Sequence, residues 1–223
     1  LIEKYNALTA NLASAGSSVP DAIVKQLADL KEFEEDIEID YLKEDIPELL
    51  SDCKEGTKRV GQIVADLKSF AHPGNDKQML MDINAGLETT LNVVHNEIKY
   101  KATVEKDLGK VSMVEGFPQK LNQVFMNILV NAGQAIEEKG QIKITTRMEG
   151  KNVMIDISDN GCGIQPDDLP KVFDPFFTTK EIGKGTGLGM NIAYNIIEEH
   201  GGTITVESEI GKGTCFTISL PGK

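Results

Sequence analysis

Three clusters, two of them glycine-rich, follow one another between residues 159 and 190, and their order limits what the chain can become. DNGCGI (159–164) ends the alternating apolar run VMIDIS (153–158), so Asp159 is expected at the end of a strand. FDPFFTTK (173–180) is a dense aromatic and basic patch, and GKGTGLGM (183–190) leads into the helix-like NIAYNIIEEH. A glycine loop that opens a helix aims free N–H groups and the positive end of the dipole at an anion, which makes this third cluster a candidate phosphate cradle. A strand-end carboxylate such as Asp159 is a candidate acceptor for a base edge. The sequence GKGTGL lacks the last glycine of G-x-G-x-x-G, does not follow a strand directly, and no G-x-x-x-x-G-K-[ST] occurs. A Rossmann unit fits poorly, and a Walker-type loop is excluded.

A fourth segment lies upstream. In LNQVFMNILVNAGQAI (121–136), Leu121, Phe125, Ile128, Leu129, Ala132 and Ile136 form a helical apolar face, and Asn127 and Asn131 share another face four residues apart. Asparagine is unfavourable in mid-helix. A solvated polar stripe would explain the pair in isolation; beside the three clusters, a paired ligand site explains it better.

In this order the four segments resemble the ATP-binding domain of sensor histidine kinases, within the GHKL (Bergerat-type) superfamily that includes type II topoisomerases, the mismatch-repair ATPase and the large heat-shock chaperone. The likeness covers roughly residues 80–220. It implies a two-layer α/β sandwich holding ATP and Mg2+. Asp159 would accept from the adenine amino group, Thr214 would support it through water, Gly161 and Gly163 would turn the chain around the base, and Ile164 would wall it. Asn131 would bind the metal, and Asn127 would hold a phosphate, the metal or its water. Lys180, with Lys184 as a second cation, would neutralise phosphate charge, and Gly185, Thr186, Gly187, Leu188 and Gly189 would wrap the phosphates as a lid closes. Phe173, Phe176 and Phe177 would anchor that lid. Many such kinases carry a basic residue three places after the second asparagine; here Gln134 offers an uncharged contact, which shifts weight to Lys180. Asn127 stands where hydrolysing relatives have a glutamate, which favours transfer over hydrolysis.

The N-terminal third reads differently. Residues 1–14 suggest a helix end, residues 16–20 a break, and residues 32–48 carry nine acids, read as a solvated face or loop. From 45 to 70, Ile46, Cys53, Val60 and Leu67 fall on one heptad phase, and Leu49, Gly56, Ile63 and Phe70 on the other. The seam implies a hairpin that dimerises into a four-helix bundle, ending at His72-Pro73-Gly74-Asn75. The expected domains are an all-α dimerising hairpin at 1–75 and the ATP-binding domain at 76–223. The family's acceptor histidine is followed by an acid, whereas His72, His95 and His200 precede Pro73, Asn96 and Gly201. The acceptor is therefore expected upstream of Leu1, with no catalytic residue of the transfer in this chain; a degenerate kinase is the other possibility.

Beyond the clusters, the pattern predicts a helix through Leu87, Leu91, Val94 and Ile98 capped by Asp82 or Asn84, strands at 102–108, 111–114, 141–148, 153–158, 203–207 and 214–220, and helices at 118–138 and 186–200. A net charge of −12 argues against nucleic acid. No apolar run reaches membrane-spanning length, and three widely spaced cysteines suit a cytoplasmic setting, with membrane contact only through segments outside this chain. The resemblance implies a response-regulator receiver domain as partner. A nucleotide-binding scaffold or an ATP-driven conformational ATPase are the competing readings.

Overall fold

The computed structural model describes residues 10, 23, 25, 26, 28, 29, 32, 39–71, 78–180 and 185–223. The chain divides into two compact units, Leu1–Gly61 and Gln62–Lys223. Helix α1 (Ile39–Ala71) runs across that division and corresponds to the second helix of the expected hairpin. It starts ahead of the heptad pattern and takes in part of the acidic run, where Tyr41 and Glu44 face solvent. Pro47 lies inside it and removes one i→i−4 bond. Ile46, Leu49 and Val60, from both heptad phases, are 49%, 54% and 61% exposed, so this part of the seam lies open among the described residues. The helix end expected at 1–14, apart from Ala10, the stop signal at 72–75, and the side chains of Ile63, Leu67 and Phe70 lie outside the described residues.

The second unit is built from alternation. In β4 (Gly140–Glu149), β5 (Asn152–Asp159) and β7 (Gly213–Pro221), every second residue is buried: Ile142 and Ile144; Val153, Ile155 and Ile157; Phe216, Ile218 and Leu220. Residues between them, such as Lys143 and Arg147, stay wet, as expected of a sheet with one covered face. With β2 (Ala102–Leu108) and β6 (Thr203–Glu209) they form a five-stranded sheet in the order β2-β4-β5-β7-β6. The β2–β4 pair is parallel and the rest are antiparallel. Helices α2 (Ile83–Ile98), α3 (Pro118–Ala135) and α4 (Gly189–Glu199) bring their apolar stripes to the covered face, giving the two-layer sandwich. Leu121, Val124, Phe125, Ile128, Leu129 and Ala132 of α3 are all nearly or fully buried.

Several boundaries move, each for a tertiary reason. The strand expected at 111–114 is instead β3 (Val114–Gly116), because its partner is the short β1 (Met79–Met81), in register Met81↔Val114. Asp82 caps α2 as expected, its carboxylate accepting the Ala85 N–H at 3.2 Å. Helix α3 stops at Ala135, where the Cys162 N–H takes the Ala135 carbonyl at 3.0 Å. The last helix opens at Gly189, not at Thr186, since Gly187 holds φ at +66°, outside the helical region.

Candidate functional site

Strand β5 ends on Asp159, opposite Thr214 of β7. The turn that follows folds back on its carboxylate: the Gly161 N–H donates to Asp159 Oδ1 at 2.8 Å. The backbone amide of Thr214 donates to the same carboxyl group. Burial raises the Asp159 pKa above the usual carboxylate value, and these two amides only partly oppose the rise. Gly161 is required by close approach, because a Cβ there would lie 2.5 Å from the Ala135 carbonyl oxygen. This contact brings the Asp159 turn to the C-terminal end of α3.

Ser208 of β6, which no motif or spacing singles out, ties the group together. Its Oγ accepts the Ile164 N–H at 2.8 Å, donates to the Gly213 carbonyl at 2.8 Å, and lies 2.9 Å from Thr214 Oγ1. Thr214 is 6% exposed, so its hydroxyl depends on that contact for part of its hydrogen bonding.

The two asparagines lie on the same half of α3. Asn131 is one helical turn, about 6 Å, before Ala135, and Asn127 another turn earlier. Both are half-buried and both meet the segments that follow the Asp159 turn. Asn127 Nδ2 donates to the Gly189 carbonyl at 2.8 Å. Lys180 Nζ donates to Asn131 Oδ1 at 3.0 Å and also to Gln134 Oε1. The Lys180 side chain is exposed, yet partial desolvation of its ammonium lowers its pKa. Among the described residues, no group of three or more His, Cys, Asp or Glu side chains gathers to hold a metal. Magnesium needs oxygen ligands and tolerates few protein ones. Asn131 Oδ1 and Gln134 Oε1 already turn toward a cationic group, so the donor set fits such an ion.

The glycine segment sits against these amides. Leu188 is buried in the core and anchors the segment, leaving only its backbone near the site. Thr186 Oγ1 accepts the Leu188 N–H at 3.3 Å. No side chain caps the start of α4, so its first amides are left for an anion or water. Gly185 packs beside Thr178 and the Lys180 side chain. Gly163, with φ at +75°, turns the chain against the Glu209 carbonyl. Lys184 lies outside the described residues.

The aromatic patch divides. Phe173 packs on the core, with its ring 5.4 Å from Tyr194 and 6.4 Å from Phe216. Phe177 is half-buried, with the Lys171 ammonium 5.8 Å from its ring. Phe176 does not anchor through its ring as expected: it is 68% exposed with φ at +67°, and its backbone is what Gly187 packs against. The histidines divide as well. His200 caps α4 as a neutral ring; its Nε2 accepts the Phe117 N–H at 2.9 Å, and Nδ1 donates to the Ile196 carbonyl at 2.7 Å. His95 is exposed on α2, in a groove shared with Glu88 and Lys106.

The model of histidine kinase-, DNA gyrase B-, and HSP90-like ATPases matches residues 116–223, which contain every residue of this site. The catalytic domain of histidine kinase ThkA is 30% identical, with a TM-score of 0.59 over 66% of this chain and 96% of that one. The chain belongs to this ATPase family. Within the family its ATP-binding domain is of the sensor histidine kinase type, and the two-layer fold is that of its relatives' catalytic domains. Sensor histidine kinase ZraS of Escherichia coli strain K12 is 37% identical over 168 residues, 73% of this chain and 35% of ZraS. Sporulation kinase E of Bacillus subtilis strain 168 is 49% identical over 168 residues, 74% of this chain and 22% of that kinase. The chain thus spans about a third or less of these curated relatives. ThkA in complex with the response regulator protein TrrA matches at 25% identity, with a TM-score of 0.61, over 75% of this chain and 49% of that one. No described helix of this histidine kinase-type ATPase is long and apolar enough to cross a membrane.

Proposed function

We propose that this chain is the ATP-binding and dimerising part of a protein-histidine kinase, which binds ATP with Mg2+ and delivers the γ-phosphate to a histidine imidazole, from which it passes to an aspartate on a response-regulator receiver domain. One observation carries this reading: the turn of a half-buried carboxylate meets the end of the same half of α3 that carries a pair of amide side chains, with an uncapped helix start beside the amides.

The Asp159 carboxylate, which already accepts the Gly161 and Thr214 amides, would accept the adenine amino group, and Ile164 would wall the base. Phosphates meet the backbone amides of residues 185–189, the dipole end of α4 and the Lys180 ammonium. Asn131, with Asn127 one turn earlier, holds the metal or its water; Gln134 adds an uncharged contact. Bound there, the metal neutralises charge that develops on the transferring phosphoryl group. The protein's own contribution is positioning: the asparagine helix fixes the phosphates, and the glycine segment excludes water from them.

His200 has both ring nitrogens engaged, so the acceptor imidazole comes from elsewhere, and the expectation of an acceptor upstream of Leu1 stands as part of this proposal. The domain limits 1–75 and 76–223, the homodimer through the helical hairpin and a cytoplasmic setting belong to it as well. The exposed heptad residues of α1 favour the dimer. The test mixes the longest natural chain that contains these residues with radiolabelled ATP, Mg2+ and a receiver domain. The reading expects acid-labile, base-stable label on the kinase that then moves to the receiver. Rapid ATP hydrolysis with no protein label would contradict it.

A further inference from the structure

Asn131 Oδ1 and Gln134 Oε1 both accept from Lys180 Nζ, and no carboxylate shares the ammonium in these bonds. A lysine usually pairs with acids; here the ammonium lies on two neutral amides. Asn127, one turn earlier, is joined to the same stretch of chain by its bond to the Gly189 carbonyl. Gly185 closes over the Lys180 stem, where a Cβ would lie 2.6 Å from Thr178 Oγ1 and 3.2 Å from Lys180 Cδ. The ammonium therefore sits on the oxygen atoms that the proposed function assigns to the metal and its surroundings.

We infer that Lys180 is a built-in counter-cation: its ammonium holds the Asn131 and Gln134 oxygens while the site lacks a metal-bound nucleotide, and gives them up to Mg2+ when one arrives. This rests on the reading of the site as a nucleotide site. The physical reason is exclusion. One amide oxygen cannot serve a divalent ion and an ammonium at the same time without bringing three positive charges together. With the metal in place Lys180 must leave Asn131, and triphosphate oxygens are the nearest anionic partner it gains. Without the metal it can stay on the amides and still meet a phosphate, so metal-free ATP retains one cation in the pocket. Gln134 is part of the device. A cationic side chain at that position would repel Lys180, whereas an amide oxygen receives it.

Lys180 thus sets how strongly nucleotide binding depends on magnesium. In the wild type the metal's gain is reduced by the cost of displacing the ammonium. In Lys180→Met that cost disappears, and so does this cation's contact with metal-free ATP.

The experiment measures ATP affinity by calorimetry for the wild type, Lys180→Met and Lys180→Arg, each with excess EDTA and with saturating Mg2+. Thermal melting of the nucleotide-free proteins confirms folding. In EDTA, Lys180→Met should bind about tenfold more weakly than wild type, the scale of one charge-assisted contact to phosphate, and in Mg2+ it should stay within about threefold. The ratio of the two dissociation constants therefore rises in Lys180→Met and stays near the wild-type value in Lys180→Arg. Equal weakening in both conditions would mean that Lys180 contacts phosphate without competing with the metal, and overturns the inference; so does no weakening in EDTA. Failure of the wild type to bind ATP even in Mg2+ overturns the nucleotide site itself, a distinguishable result. A second readout needs no nucleotide: the side-chain 15N–H resonances of Asn131 and Gln134 should shift in Lys180→Met relative to wild type, and unchanged resonances would contradict the contact.

Discussion

Replacing Asp159 by asparagine separates binding from folding. The wild-type carboxylate already accepts from the Gly161 N–H at 2.8 Å and from the Thr214 amide. An adenine amino group would be a third donor, and an ionised carboxylate has lone pairs for all three. Asparagine has a single acceptor oxygen, so its NH2 must face a donor. A hydrogen bond to a charged group contributes about 1.5–3 kcal/mol. Its loss should weaken Mg-ATP binding about 10- to 150-fold, because ~1.4 kcal/mol is a factor of ten. Stability should behave otherwise. One backbone amide loses its acceptor at a cost of about 1 kcal/mol, but the desolvation of a buried charge disappears. The nucleotide-free variant should stay within about 1 kcal/mol of wild type at neutral pH. Because burial raises the native pKa of Asp159, the native state holds this proton more tightly than the unfolded chain. This group's favourable contribution is complete below the ordinary carboxylate value and is lost as pH climbs through the raised native value. Asp159→Asn removes that component. Calorimetric ATP titration and urea melts between pH 4 and pH 7 read both effects. If Asp159→Asn bound ATP within twofold of wild type, the base-acceptor reasoning would be refuted.

Three further substitutions probe the frame. Ser208→Ala leaves the Ile164 N–H without its acceptor, and urea unfolding should show a loss of about 1–3 kcal/mol; its ATP affinity should fall as well, since the turn that carries Ile164 loosens. Asn131→Ala should abolish most of the gain in ATP affinity that Mg2+ provides, while affinity in EDTA changes little; calorimetry in the two conditions decides. His200→Ala removes the acceptor of the Phe117 N–H and the ring edge on Phe117, and should cost about 2–4 kcal/mol in urea with no direct effect on the site.

What the sequence disclosed and what it withheld follow from range. Asn127 and Asn131 announce a shared face because helical spacing is local, and Asp159 announces a strand end because VMIDIS alternates up to it. The sandwich followed from the same two periodicities. Ser208 was invisible, since a serine between Glu207 and Glu209 reads as a wet strand residue, and nothing nearby tells that its hydroxyl meets Ile164 in the segment after β5. Lys180 was legible as a cation for phosphate, but its seat on Asn131 and Gln134 joins residues 49 and 46 positions apart. The start of α4 was misjudged because Thr186 and Leu188 look helical, while the Gly187 backbone turns left-handed. Phe176 misled in the same way: aromatic content suggested an anchor, and the backbone conformation turned the ring out to solvent.

The central claim is that Asp159 and Asn131 hold the two ends of one nucleotide. A crystal structure of the protein with Mn2+ and a non-hydrolysable ATP analogue, using the anomalous signal of the manganese, tests it most directly. The account predicts the anomalous peak within coordination distance of Asn131 Oδ1, the adenine amino group on the Asp159 carboxylate, and Lys180 Nζ moved from Asn131 onto phosphate oxygen. A base bound away from Asp159, or a metal that does not touch Asn131, would contradict it.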